Sequence, residues 1–147
     1  MEKVLIAYAS RTGNTRQIAE YIAEGIRIGG AEAAVKDVKD IKKVEELEDY
    51  SAVIVGSPTY HGEMLQSAKT FLFLMEKANL KDKVGGAFGS YGWSGEAQDR
   101  IYNTMRNIFE MNVSGGAFRL KSPEVKGAVK VSQDYGRTIV KKLKRYS

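Results

Sequence analysis

Residues 3–15 read KVLIAYASRTGNT, and this stretch decides the fold. Val4-Leu5-Ile6-Ala7-Tyr8-Ala9 is apolar on consecutive residues, as a strand covered on both faces must be. Six small or polar residues follow, Ser10-Arg11-Thr12-Gly13-Asn14-Thr15. Ile18, Ile22 and Ile26 then recur at helical spacing until Gly29-Gly30 closes the run. The opening is therefore one β/α unit with a hydroxyl-rich loop at its joint.

The same unit recurs along the chain. Strands are expected over Lys3–Ala9, Ala33–Val38, Ser51–Gly56, Val84–Gly89 and Ala117–Leu120. Helical faces are expected from Leu65, Ala68, Phe71, Leu72 and Met75, and from Ala97, Ile101, Met105 and Ile108. Val131, Tyr135, Ile139 and Leu143 mark a last helix, while Val44 and Leu47 suggest only a short charged turn. Five alternating units point to an α/β fold with a parallel sheet covered by helices on both faces. At 147 residues, with no linker or repeat, the chain reads as a single domain, 1–147.

Composition closes off several functions. The chain has no cysteine and one histidine, His61, which leaves out disulfides, thiol redox chemistry and multi-histidine metal centres. No leader-like or membrane-spanning run is seen, so the expected location is cytoplasmic, with no membrane partner. The net charge is +5, unevenly spread: residues 1–73 carry −2 and residues 74–147 carry +7. Arg137, Lys141, Lys142, Lys144 and Arg145 supply much of the excess. No nucleic-acid motif accompanies them, so a solvated helix face or the steering of an acidic protein partner is expected instead of nucleic acid.

Three loops follow strand ends and differ from the rest: Ser10–Thr15, Ser57–Gly62 and Ser90–Gly95. Ligands of open α/β sheets sit at such carboxyl ends, where the strand order reverses. In the first loop, Thr12 or Asn14 is placed to cap the next helix, and Gly13 permits close approach of the backbone. The loop reads either as an anion cradle or as an ordinary capped turn. It lacks the lysine of a nucleoside-triphosphate loop and the multiple glycines of a dinucleotide loop. Tyr60 and Trp93 sit in glycine-containing turns and are expected to hold a planar ring between them, the other reading of Trp93, the one tryptophan, being a core residue. Tyr91 reads either as a stacking residue or as packing beneath its loop.

These residues resemble the flavodoxin family. SRTGNT resembles its phosphate loop. GSPTYHGEML and GSYGWSGEA resemble its two ring loops, most closely those in the flavodoxin-like domain of A-type flavoproteins (flavodiiron proteins), here as a standalone domain. The resemblance implies a flavodoxin-like, doubly wound, five-stranded parallel sheet of order 2-1-3-4-5. It implies FMN, held noncovalently, in a low-potential electron-transfer protein that shuttles electrons between redox protein partners. Carried over, Ser10, Arg11, Thr12, Gly13, Asn14 and Thr15 would bind the phosphate. Pro58, Thr59, Tyr60, His61 and Gly62 would border one side of the ring, and Ser90, Tyr91, Gly92, Trp93 and Gly95 the other. No catalytic residue and no metal ligand are implied.

The sequence departs from the family pattern in three ways. Flavodiiron proteins carry a metal domain ahead of this one, whereas here the first strand follows the initiator methionine directly. Most flavodoxins are acidic, whereas this chain is basic, which points either to acidic partners or to a docking surface that differs in sign. Many flavodoxins place glycine just after the loop aromatic, where a peptide flip serves the reduced flavin; here His61 intervenes before Gly62. His61 is therefore expected to restrict that flip, or to bring a titrating charge near the flavin, or simply to face solvent. An alternative function is an FMN-dependent NAD(P)H:quinone-type oxidoreductase, although the chain leaves little room for that enzyme's usual insertions. Whether the protein is a monomer or a homo-oligomer is left open at this stage.

Overall fold

A computed structural model describes every residue except Trp93, Ser114 and Ser147, and only the backbone of Tyr146. Among the described residues, β1 (Lys3–Tyr8), β2 (Glu32–Asp37), β3 (Ala52–Gly56), β4 (Val84–Ser90) and β5 (Phe118–Leu120) form one sheet. All its pairs are parallel, and its order is the expected one, β2-β1-β3-β4-β5. The intervening helices are α1 (Asn14–Ile28), α2 (Gln66–Glu76), α3 (Glu96–Asn107) and α4 (Ala128–Tyr146).

Side chains alternate between the two faces of each strand, so consecutive apolar residues feed two cores. Leu5, Ala7, Val53, Val55 and Ala87 pack against Phe71 and Met75 of α2 and Ile101 and Met105 of α3. Val4, Ile6, Ile54 and Phe88 face Ile18, Ile22 and Ile26 of α1 and Ile139 and Leu143 of α4.

α1 and α4 touch backbone to backbone. A Cβ on Gly25 would stand 2.1 Å from the Gln133 carbonyl oxygen, and one on Gly136 would stand 2.3 Å from the Ile22 carbonyl oxygen. The two helices run in the same direction. Further along, Gly29 meets Val140, and Lys144 Nζ donates to the Gly29 carbonyl at 3.1 Å. The basic end of α4 therefore lies beside the C-terminus of α1, near the amino ends of the strands. The three informative loops lie at the other end of the sheet.

Some sequence expectations shift. β2 starts and stops one residue early, and Val38 opens a 3₁₀ turn in which Asp37 accepts the Lys39 amide at 2.9 Å. β1 stops at Tyr8, β3 and β5 begin one residue late, and β4 runs on to Ser90. The charged turn expected near Val44 is a 3₁₀ turn, Val44–Leu47. Ile108 is not part of the α3 face: the helix ends at Asn107, and Ile108 is 64% exposed. Val131 is also outside the core, at 43% exposure. A strict spacing of four advances about 40° per step on a 3.6-residue helix, so the stripe drifts. The buried line runs instead through Ala128, Ser132, Ile139, Val140 and Leu143.

Candidate functional site

The loop after β1 builds its own turn. Ser10 Oγ accepts the Gly13 amide at 2.9 Å, and the Gly13 carbonyl accepts the Gln17 amide at 3.0 Å. Gly13 is the N-cap, at φ 90°, a left-handed conformation that suits glycine. This corrects the expectation that Thr12 or Asn14 caps α1: no side chain caps the helix. The reason is geometric, since the Ser10–Gly13 bond turns the chain into the helix at Gly13 itself. The first-turn amides of α1 have no intrahelical acceptor, and no acidic side chain occupies that turn. They form an anion-accepting end with a positive dipole. Arg11 points elsewhere: its guanidinium lies 4.0 Å from the centroid of the Tyr60 ring.

The loop after β3 ends in a tight hairpin. Tyr60 and Glu63 exchange backbone hydrogen bonds at 2.7 and 3.0 Å around His61 and Gly62. His61 has φ 52° and Gly62 φ 74°, the pattern of a type I′ turn. The Tyr60 and His61 rings meet edge to face, with centroids 4.2 Å apart. Glu63 anchors the hairpin by ion pairs to Lys69 of α2 and Arg100 of α3. Between this hairpin and the loop after β4 is a cleft of about 330 Å³, lined by Thr59, Tyr60, His61, Gly62, Gly92 and Ser94.

The three loops are bonded to one another. Thr15 Oγ1 lies 3.4 Å from Ser90 Oγ, joining α1 to the end of β4. The Thr59 amide donates to the Ser90 carbonyl at 3.0 Å, and the Tyr91 amide donates to the Leu120 carbonyl at 3.1 Å. Ser57 Oγ accepts the Leu65 amide at 3.0 Å. Pro58 and Tyr91 are half-buried, and Gly92 is open to solvent. Gly95 is the N-cap of α3, and Arg119 Nη1 fills the space where its Cβ would stand. Trp93 lies outside the described residues, so its expected stacking role is not described. A hydrogen bond from the Ser94 hydroxyl holds the Glu96 carboxyl below the usual carboxylate range. Burial, partly opposed by Arg16, holds the Tyr8 phenol above its usual range.

The family model described as "Flavodoxin domain" matches residues 5–133. The chain belongs to the flavodoxin domain family. A putative diflavin flavoprotein A 5 from Nostoc sp. is 35% identical over 96% of the chain, which covers 26% of that protein. A flavodoxin from the domain Archaea superposes with a TM-score of 0.90 at 34% identity, covering 97% of this chain and 99% of that one. The Flv1 flavodiiron core from Synechocystis sp. PCC6803 superposes at 0.90 with 29% identity, covering 99% of this chain and 37% of that one. The chain thus spans about a quarter of the length of that diflavin flavoprotein.

Sequence reasoning located the loops of this flavodoxin domain but missed three residues that hold them. Gln98, Glu63 and Arg119 are polar residues whose side-chain partners lie 6 to 41 positions away. Gln98 alone carried a sequence signal: it is an uncharged polar residue beside Ala97 on a helix face otherwise read as apolar.

Proposed function

We propose that this flavodoxin domain holds FMN noncovalently and passes electrons between redox protein partners. The observation that carries this reading is a joint one. An uncapped helix N-terminus and an aromatic-edged cleft occur at the same end of the sheet, tied together by Thr15 and Ser90.

The residues present fit the group. The amides at Asn14 and Thr15, with the hydroxyls of Ser10 and Thr12, would receive the phosphate. Pro58 to Gly62 and Ser90 to Gly92 would border the ring. The bound flavin would supply the redox chemistry, taking and releasing electrons singly or in pairs. The protein's part is to bind, orient and partly cover it. Tyr60, at 43% exposure, marks a site edge open to solvent, as exchange with a docked protein requires.

The test begins with the absorption spectrum of the purified chain and mass identification of the released cofactor. FMN in near one-to-one ratio is the expected result, and a colourless protein that takes up no added FMN overturns the reading. Mixed anaerobically with NADH or NADPH, the holoprotein should keep its colour until a nicotinamide-linked reductase is added. Rapid bleaching without the reductase would favour a self-contained oxidoreductase.

A further inference from the structure

Gln98 is fully buried at the start of α3, a polar side chain among Ala97, Ile101 and Met105. All its hydrogen bonds reach into the loops of the site. Nε2 donates to the Ser57 carbonyl at 2.6 Å and to the Ser90 carbonyl at 3.1 Å. Oε1 accepts the Thr59 hydroxyl at 3.2 Å, and that same hydroxyl accepts the Ala97 amide at 3.2 Å. The amide orientation follows from its surroundings: the edge facing two carbonyl oxygens must be the donor edge. Gly89 leaves the room for this. A Cβ there would stand 2.0 Å from the Ser57 carbonyl oxygen and 2.5 Å from Gln98 Nε2.

We propose that Gln98 is a positioning residue for the bound ring, its one amide fixing the spacing between the loop after β3 and the loop after β4. The proposal rests on the FMN reading above. Both loops leave adjacent strands, and their backbones bear the residues that line the cleft. A buried amide with three partners is a rigid spacer, because breaking any one bond leaves a desolvated group unpaired. With the spacing set before binding, the ring enters a formed slot and no loop ordering is charged against its affinity. Through Ser90, which also contacts Thr15, the same spacer ties the ring slot to the end that accepts the phosphate.

The test uses the full chain, stripped of cofactor and titrated with FMN. Gln98→Met keeps the volume and removes all three bonds, and Gln133→Met, in α4 with its side chain bonded to Glu24 of α1 and not to the cleft loops, serves as control. Gln98→Met is expected to weaken FMN binding about tenfold or more, the equivalent of losing one to two buried hydrogen bonds. At saturating FMN, the visible circular dichroism bands of the bound ring should change. In the cofactor-free protein, amide exchange should quicken at Thr59 and Tyr91 while Ile54 and Ile22 keep their protection. The control should match the wild type throughout. Wild-type affinity in Gln98→Met, or weakened affinity with unchanged bands, overturns the proposal. Should Gln98→Met not fold, Thr59→Val decides: about threefold weaker binding with altered bands supports the proposal, and unchanged values overturn it. A wild-type chain that binds no FMN fails the underlying reading instead, a result visible before any variant is made.

Discussion

The guanidinium of Arg11 lies over the ring of Tyr60, 4.0 Å from its centroid. One residue comes from the loop after β1 and the other from the loop after β3, so the contact bridges the two halves of the site. Arg11 thereby contacts the aromatic wall of the cleft. Arg11→Ala should weaken the binding of FMN and of riboflavin by a similar two- to fivefold factor, since an exposed cation–π contact contributes about 0.5–1 kcal/mol. Titration of both ligands checks this. A loss confined to FMN would return Arg11 to the phosphate.

The hairpin at His61 makes a second prediction. A type I′ turn can flip its central peptide only by passing to type II′, whose first central position is a glycine conformation. His61 occupies that position, so the His61–Gly62 peptide is held. His61→Gly should free it, and the separation of the two one-electron potentials of the holoprotein should widen by about 40 mV, near 1 kcal/mol for one electron. An anaerobic redox titration measures this. An unchanged separation would show that the turn does not respond to the redox state.

The crossing of α1 and α4 predicts a reversal of the usual propensity rule. Glycine to alanine inside a helix ordinarily stabilises by up to about 1 kcal/mol. At Gly25 the added methyl would meet the Gln133 backbone, which no rotamer change can move. Gly25→Ala should therefore destabilise by about 3 kcal/mol, lowering the Tm by roughly 6–12 °C. Thermal unfolding of the cofactor-free chain measures it directly, and a raised Tm would contradict the close crossing.

Glu46 predicts a pH dependence. Its carboxylate accepts the Lys42 and Lys43 amides, each at 2.8 Å, and these bonds hold its pKa below the usual value. The folded state thus binds a proton less readily than the unfolded chain. The stability this contributes is complete above the unfolded carboxyl pKa, about 4.3, and is lost as pH falls through the lower folded value. Glu46→Gln should flatten the decline in stability between about pH 5 and pH 3 and have less effect on that slope at neutral pH. Urea unfolding across this range checks the sign.

The layered fold was legible because its signals are local. Consecutive apolar residues such as Val53-Ile54-Val55 announce a strand covered twice, and the stripe of Ile18, Ile22 and Ile26 announces a helix. The loops were legible because glycine and hydroxyl residues gather at strand ends. What escaped depends on contacts between distant parts of the chain. Nothing near Gly25 in sequence shows that the Gln133 backbone will lie against it. Residue type favoured Thr12 or Asn14 as the helix cap, but the Ser10–Gly13 bond moved the cap to Gly13. Gln98 stands between Ala97 and Asp99 in a largely charged stretch, and its partners are set by the approach of β3 and β4.

The seating of Lys144 beside Gly29 has an electrical consequence. α4 is about 28 Å long, several screening lengths at physiological salt, and its basic end is turned away from the cleft. A phosphate of nearly two negative charges at the start of α1 would stand at the opposite pole. The loaded molecule is then an electric dipole directed along its strands. A field acting on it exerts a torque, turning it before drawing it in. The separation of charge along the strands, and not the net charge, sets how the molecule orients, and the surface around the cleft, which carries Arg11, Arg100, Glu63 and Glu96, is left to choose what docks.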